Sequence, residues 1–199
     1  MASPSSRPDS EDDPTTVITA PATPRLANVL IPLAIGELVA VVLGAFGWLH
    51  KPAGIELGLV IFSGTLVAKV WLATGGFVLA LGQLFSALVM FGKVPRITAP
   101  AWIGTAHRWL GRLAFLLVVP VAVHCLYSVG FQTFDTRTLI HSIVGCFFFG
   151  AFTVKMLVLP RSDLPGWVLP LVGGLVFTGL AVLWLTSSLW FFTTVGVRF

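Results

Sequence analysis

The sequence predicts an all-α integral membrane protein, and its composition and long apolar runs are the observations that predict it. Of the 199 residues, 56% are hydrophobic and only 10% are charged, and the mean hydropathy is +0.95. A water-soluble domain of this composition would lack the polar surface needed to cover itself. A span needs about 20 apolar residues, and a helix satisfies its own backbone hydrogen bonds. We therefore expect a multi-pass helical bundle in a lipid bilayer.

Residues 1–25 differ in character from the rest of the chain. They are rich in Ser, Pro, Thr and Asp and have no apolar periodicity, which predicts a disordered tail. No basic segment leads directly into an apolar one, and this argues against a cleaved signal peptide. The membrane domain is predicted to cover residues 26–199.

Four apolar runs predict spans directly, and Pro or Gly residues mark most of their ends. They are residues 26–48, 102–128, 138–159 and 167–192. The run 55–91 is harder to divide, because Lys69 lies inside it and the only break, at 73–76, is weak. One interpretation is a single span from 70 to 91, preceded by an interfacial or re-entrant apolar segment. Two short spans would each fall near the lower limit of roughly 17 residues, so we favour five spans, with six as the alternative.

The distribution of charge predicts the orientation. With five spans and a cytoplasmic N-terminus in the cell membrane, most basic residues lie at the inner side, as the positive-inside rule requires. These are Arg7, Arg25, Lys93, Arg96, Arg108, Arg112, Lys155 and Arg161. A six-span chain with its N-terminus outside also satisfies the rule. No aromatic-interleaved basic patch is present, so a nucleic-acid partner is not expected.

The first predicted span combines a small-residue face with a carboxyl group. Gly36, Ala40 and Gly44 recur every four residues, which predicts a groove for a neighbouring helix. Glu37 lies near mid-span, where an ionised carboxylate costs roughly 2.5–3.5 kcal/mol. It should face the bundle interior, be protonated or line a wet path. Gln83 falls at a similar depth and is the predicted hydrogen-bond partner; a proton or quinone contact is the alternative.

The two cysteines, Cys125 and Cys146, lie inside predicted helices and do not form a C-x-x-C motif. We expect both to be buried free thiols.

Residues 105–157 predict a helical hairpin that carries three of the four histidines. His124 lies about one turn before the end of the third span, and His141 about one turn after the start of the fourth. Antiparallel arms would bring the two imidazoles to matching depth, and bis-histidine haem requires such a pair. Gly145 follows His141 by one turn on the same face and would leave room for a porphyrin edge. The alternative is that both histidines bond loop carbonyls.

The remaining histidines are weaker candidates for haem ligation. His107 and Gly111 repeat the His-x-x-x-Gly spacing, but His107 is alternatively an interfacial side chain. His107 and His124 are separated by 17 residues, a rotation of about 100° on an ideal helix, so stacked haems on this arm are not expected. His50, at the outer end of the first span, is the substitute ligand.

The segment HRWLGRLAFLL (107–117), followed on the same helix by His124, resembles the membrane domains of cytochrome b561-like and ferric-reductase-like proteins. The resemblance implies haem b held by histidines on neighbouring helices and electron transfer across the bilayer. Residues 69–192 resemble more closely a bacterial family of small multi-pass membrane proteins without an assigned activity. No G-x-G-x-x-G segment accompanies the spans, so a redox partner is expected on another chain or in a membrane complex.

Three functions are consistent with these features, and no motif assigns an enzymatic reaction. The first is a b-type cytochrome-like electron-transfer subunit with haem b near the extracytoplasmic side. The second is a non-redox scaffold or assembly subunit. The third is a small proton-coupled transporter that uses Glu37.

Overall fold

The computed structural model describes residues 27–55 and 63–199, and within these ranges the chain is a bundle of helices. Five are long and apolar enough to cross a membrane, which confirms the predicted fold and span count. They are α1 (Ala27–Leu49), α2 (Thr65–Met90), α3 (Ile103–Val129), α4 (Thr136–Val158) and α5 (Val168–Thr194). The predicted disordered tail, residues 1–25, lies outside the described residues.

The apolar run 55–91 contributes one spanning helix to the described chain. Helix α2 begins at Thr65, earlier than the predicted start at residue 70, so Lys69 lies within the helix near its first turn. Most of the predicted interfacial or re-entrant segment falls in residues 56–62, outside the described ranges. One crossing rather than two therefore accounts for residues 65–90.

Helices α1 and α4 pack closely where Gly36 meets Gly150. A Cβ atom added to Gly36 would lie 2.7 Å from the carbonyl oxygen of Gly150, and one added to Gly150 would lie 2.6 Å from the carbonyl oxygen of Gly36. Only glycine at both positions allows this backbone approach. The predicted small-residue groove of α1 therefore receives α4, in the manner typical of membrane helices.

The start of α1 is held by the α4–α5 loop. Pro32 lies inside α1 and has no N–H group, so the carbonyl of Asn28 loses its helical partner. The Arg161 guanidinium donates a hydrogen bond to that carbonyl, and the Asn28 amide donates to Asp163. Pro32 therefore leaves the Asn28 carbonyl free to accept the hydrogen bond that joins α1 to the α4–α5 loop.

Helix α3 packs along α2 rather than along α4. Here too glycines set the approach: Cβ atoms added to Gly75 and Gly76 would meet the Leu117 and Val118 side chains at 3.1 and 2.7 Å. The predicted hairpin arms are therefore not a closely packed antiparallel pair. Helix α4 instead packs on α1 and α5, and Phe115 stacks on Phe152 at 4.5 Å to bridge the two arms.

The α3–α4 loop is fixed at both ends. Gly130 adopts a φ of 73°, which glycine tolerates without strain, and the next amide, that of Phe131, donates to the carbonyl of Gly47. Asp135 caps α4 and accepts a hydrogen bond from the Thr138 amide at 2.6 Å, which lowers the pKa of the Asp135 carboxyl. These contacts set the position of the first turns of α4.

We predict that Gly150→Ala destabilises the bundle, because the added methyl group forces α1 and α4 apart. Overpacking of this kind typically costs about 1–3 kcal/mol of unfolding free energy. Thermal unfolding of the detergent-solubilised protein measures the change. The control is Gly174→Ala on α5, where an added Cβ atom meets no atom within 4 Å; equal melting temperatures for the two variants would contradict this packing.

Candidate cofactor site in the bundle

A cavity of about 500 Å³ lies between the helices at the end of the bundle that carries residues 130–135. We call it the loop-end cavity. All five helices contribute to its walls, which are mostly apolar, and Val118, Phe148 and Leu180 of the central core form part of them. Its volume falls within the range of roughly 300–1,000 Å³ typical of small-molecule sites.

Two π-helical turns border the loop-end cavity. One is Cys125–Val129 at the end of α3 and the other is Leu185–Leu189 in α5. Turns of this type are rare and often occur at functional sites, because they break the regular register of the helix. Both cysteines are free thiols, as predicted, but they are half-buried on the cavity wall rather than fully buried.

The charged residues of the cavity wall are basic. Lys69, Arg137 and His141 line it, and no carboxylate is present among its lining residues. Arg137 Nη1 donates to the carbonyl oxygen of Thr186 at 2.7 Å, and its guanidinium lies 3.9 Å from the Trp190 ring centroid. Lys69 forms no ion pair with a described residue. The cavity therefore suits a molecule with an apolar body and an acidic edge.

The hydrogen bonds of His141 fix its tautomer. The Thr186 hydroxyl lies 2.7 Å from the carbonyl oxygen of Val182, to which it donates its proton. The same hydroxyl oxygen lies 2.9 Å from His141 Nδ1, so we infer that Nδ1–H is the donor in that contact. His141 Nε2 consequently carries a lone pair, and it bonds to no described residue. A histidine held in this way is prepared to ligate a metal.

His107 is held in the opposite manner, with both ring nitrogens occupied. Ser86 Oγ lies 2.9 Å from the carbonyl oxygen of Gln83 and 2.9 Å from His107 Nδ1. The Gln83 amide nitrogen lies 3.4 Å from His107 Nε2 and donates to the His107 carbonyl at 3.2 Å. This cluster joins α2 to α3 far from the loop-end cavity, so the geometry supports a structural role for His107.

His124 and His50 do not line the loop-end cavity. His124 Nε2 lies 2.7 Å from the carbonyl oxygen of Ile55, so this nitrogen must be the donor, and its buried Nδ1 bonds to none of the residues in 27–55 and 63–199. His50 stacks on Phe46 at 4.8 Å and contacts Tyr127 edge-on. The structure therefore does not bring either ring to the wall that His141 occupies.

The predicted Glu37–Gln83 hydrogen bond is wrong. Gln83 bonds to His107, and Glu37 is exposed on α1. The two helices are not neighbours, because α1 packs on α4 while α2 packs on α3. Of the two predicted glycines, Gly145 lines the cavity, whereas Gly111 makes room for the Gln83 amide.

The fold defines a multi-pass helical membrane protein. A model of a family described as a family of unknown function (DUF6529) matches residues 29–199, and the chain belongs to this family. No curated protein and no solved structure matches the chain. The family match agrees with the predicted resemblance to a family without an assigned activity, and the comparisons give no support to the resemblance to cytochrome b561-like domains.

Three residues of the site were not predicted from the sequence. Arg137 lies one turn before His141, and Lys69 is a charged residue inside an apolar run. Helical spacing and intramembrane charge could therefore have identified both from the sequence. Thr186 carried none, because a threonine in a span usually bonds only to its own helix.

We predict that His107→Ala lowers the unfolding free energy by about 1–3 kcal/mol, because it removes the imidazole Nδ1 contacts to Ser86 Oγ and to the Gln83 carbonyl oxygen, which join α3 to α2. Arg108→Ala is the matched control on the adjacent, exposed position, and surface changes of this kind usually stay within about 0.5 kcal/mol. Chemical denaturation in detergent provides the measurement. A His107→Ala variant as stable as Arg108→Ala would show that the cluster does not hold α2 to α3.

Proposed function

We propose that this protein is a small b-type cytochrome-like electron-transfer subunit in which the loop-end cavity holds haem b. The observation that carries the proposal is the state of His141. It is the histidine on the cavity wall, its Nδ1 bonds to Thr186, and its Nε2 retains a free lone pair. Haem iron takes an imidazole nitrogen of this kind as an axial ligand.

The other cavity residues also match haem. The apolar wall suits the macrocycle, and the cation of Lys69 suits an acidic side chain of haem. The Arg137 guanidinium, which also lies 3.7 Å from the Asp135 carboxylate, adds a second cation at the wall. When bound, haem supplies one-electron exchange at its iron. The chain itself supplies the orientation of the imidazole, the positive charge and a mostly apolar wall.

The proposal assigns one histidine ligand instead of the predicted pair. His124 uses Nε2 to bond to Ile55 and lies off the cavity wall. A single proximal histidine is sufficient to hold haem in several protein classes. Thr186 then acts as a positioning residue, because it fixes the tautomer and ring orientation of His141.

We also propose that the loop-end cavity faces the extracytoplasmic side and that the N-terminus is cytoplasmic. The positive-inside rule supports this orientation, since the end of the bundle opposite the loop carries most of the basic residues. These are Lys93, Arg96, Arg108, Arg112, Lys155 and Arg161. The electron donor or acceptor would be a separate redox protein or membrane complex.

A second candidate is a binding protein for an amphipathic anion such as a fatty acid. The basic, carboxylate-free wall favours it, because such a ligand would present its acid to Lys69 and Arg137 and its chain to the apolar surface. The transporter interpretation gains no such support, since Glu37 is not a cavity residue.

We predict that the protein purified after haem-supplied expression shows a Soret band that His141→Gly abolishes and added imidazole restores. Imidazole refills the ligand position that the glycine leaves open. Thr186→Val should weaken haem affinity by roughly 10- to 100-fold, the usual effect of removing an outer-shell partner. Absorption spectra of the oxidised and reduced protein give the measurement.

His124→Ala is the matched control and should retain the band. If His124→Ala and His141→Gly lose the band equally, the single-histidine assignment is wrong. If the wild-type protein carries no haem and mass spectrometry finds a bound fatty acid, the second candidate replaces the first.

A further inference from the structure

Glu37 carries a carboxyl group at the centre of a membrane span. It lies about 15 Å from one end of α1 and about 18 Å from the other at 1.5 Å per residue. Its side chain is exposed on the bundle surface, and it forms no hydrogen bond or ion pair with a described residue. The five described spans contain no other acidic residue.

Lipid cannot satisfy such a group. Intramembrane carboxyl groups almost always face a bundle interior or a cavity, where another polar group meets them. Helix α4 cannot do so here, because it occupies the face of α1 that carries Gly36. The bundle is therefore incomplete on the outward face of α1.

That outward face has the spacing of a helix–helix seam. Leu30, Ala34, Glu37 and Val41 follow alternating four- and three-residue steps, and Trp48 comes one heptad after Val41. Each of the five is exposed, whereas Gly44, the intervening heptad position, faces Cys146 of α4. Such spacing keeps one stripe facing a partner helix along its whole length. We call these five residues the α1 seam.

We propose that the α1 seam is the contact between two copies of this chain, with their α1 helices parallel and the two Glu37 carboxyl groups hydrogen-bonded to each other. Copies that insert identically share orientation and depth, so a two-fold axis along the membrane normal places residue 37 opposite residue 37. A protonated carboxyl group both donates and accepts, so the pair satisfies itself. No seam residue lines the loop-end cavity, and the inference does not depend on haem.

Disulfide cross-linking of the full-length chain in membranes tests the seam. In a background with Cys125→Ser and Cys146→Ser, Val41→Cys places a thiol on the seam, and Val42→Cys places one beside it. The two valines are similarly exposed, at 67% and 55%, but point about 100° apart. We expect oxidation to give a product of twice the chain mass with Val41→Cys and little with Val42→Cys.

Substitutions at Glu37 then test the carboxyl pair. Glu37→Ala should weaken dimerisation of the Val41→Cys protein about 5- to 30-fold, the range implied by interhelical hydrogen bonds in membranes. Glu37→Gln should retain cross-linking, because two amides also pair. Equal cross-linking at positions 41 and 42 would overturn the seam, even if the Glu37 variants fail to fold. Undiminished cross-linking in Glu37→Ala would overturn the carboxyl pair, and a Val41→Cys product of another mass would identify a different partner protein.

Discussion

The backbone approach of α1 and α4 at Gly36 and Gly150 is the contact on which the rest of the arrangement depends. Membrane helices gain little from burying apolar surface against one another, so close packing at small residues decides which helices pair. Helix α4 packs on α1 and α5, and α3 packs on α2 through Gly76. Helices α3 and α4, although adjacent in sequence, therefore do not pack closely on each other. The loop-end cavity is the space that this leaves.

Much of the fold was predictable from the sequence. Apolar runs long enough to cross a bilayer indicate the spans, and glycine spacing in α1 indicates a face for close approach. The pairing of helices was not predictable. A small-residue groove shows that some helix approaches, but not which one, so assuming that chain neighbours pack together wrongly joined α3 to α4. Assuming that residues at similar depth contact each other wrongly paired Glu37 with Gln83.

The candidate site was predictable only in part. His141 and Gly145 were identified from their spacing, and both line the cavity. The hydrogen bond that fixes the tautomer of His141 is made with Thr186. Thr186 lies in a π-helical turn, which no periodicity in the sequence indicates. For His124 the alternative interpretation holds, because its ring bonds to a carbonyl at Ile55, in a segment far away in the chain. The sequence did not indicate which of the two interpretations applied to which histidine. Side-chain partners of this kind depend on tertiary packing, which local patterns do not encode.

The most direct measurement is a crystal structure of the haem-supplied protein with data collected at the iron absorption edge. The proposed geometry predicts one anomalous peak inside the loop-end cavity, at bonding distance from Nε2 of His141, with His124 still bonded to the carbonyl of Ile55. An iron peak held by His107 or by His124, or a bundle in which α3 packs directly on α4 and fills the cavity, would contradict it.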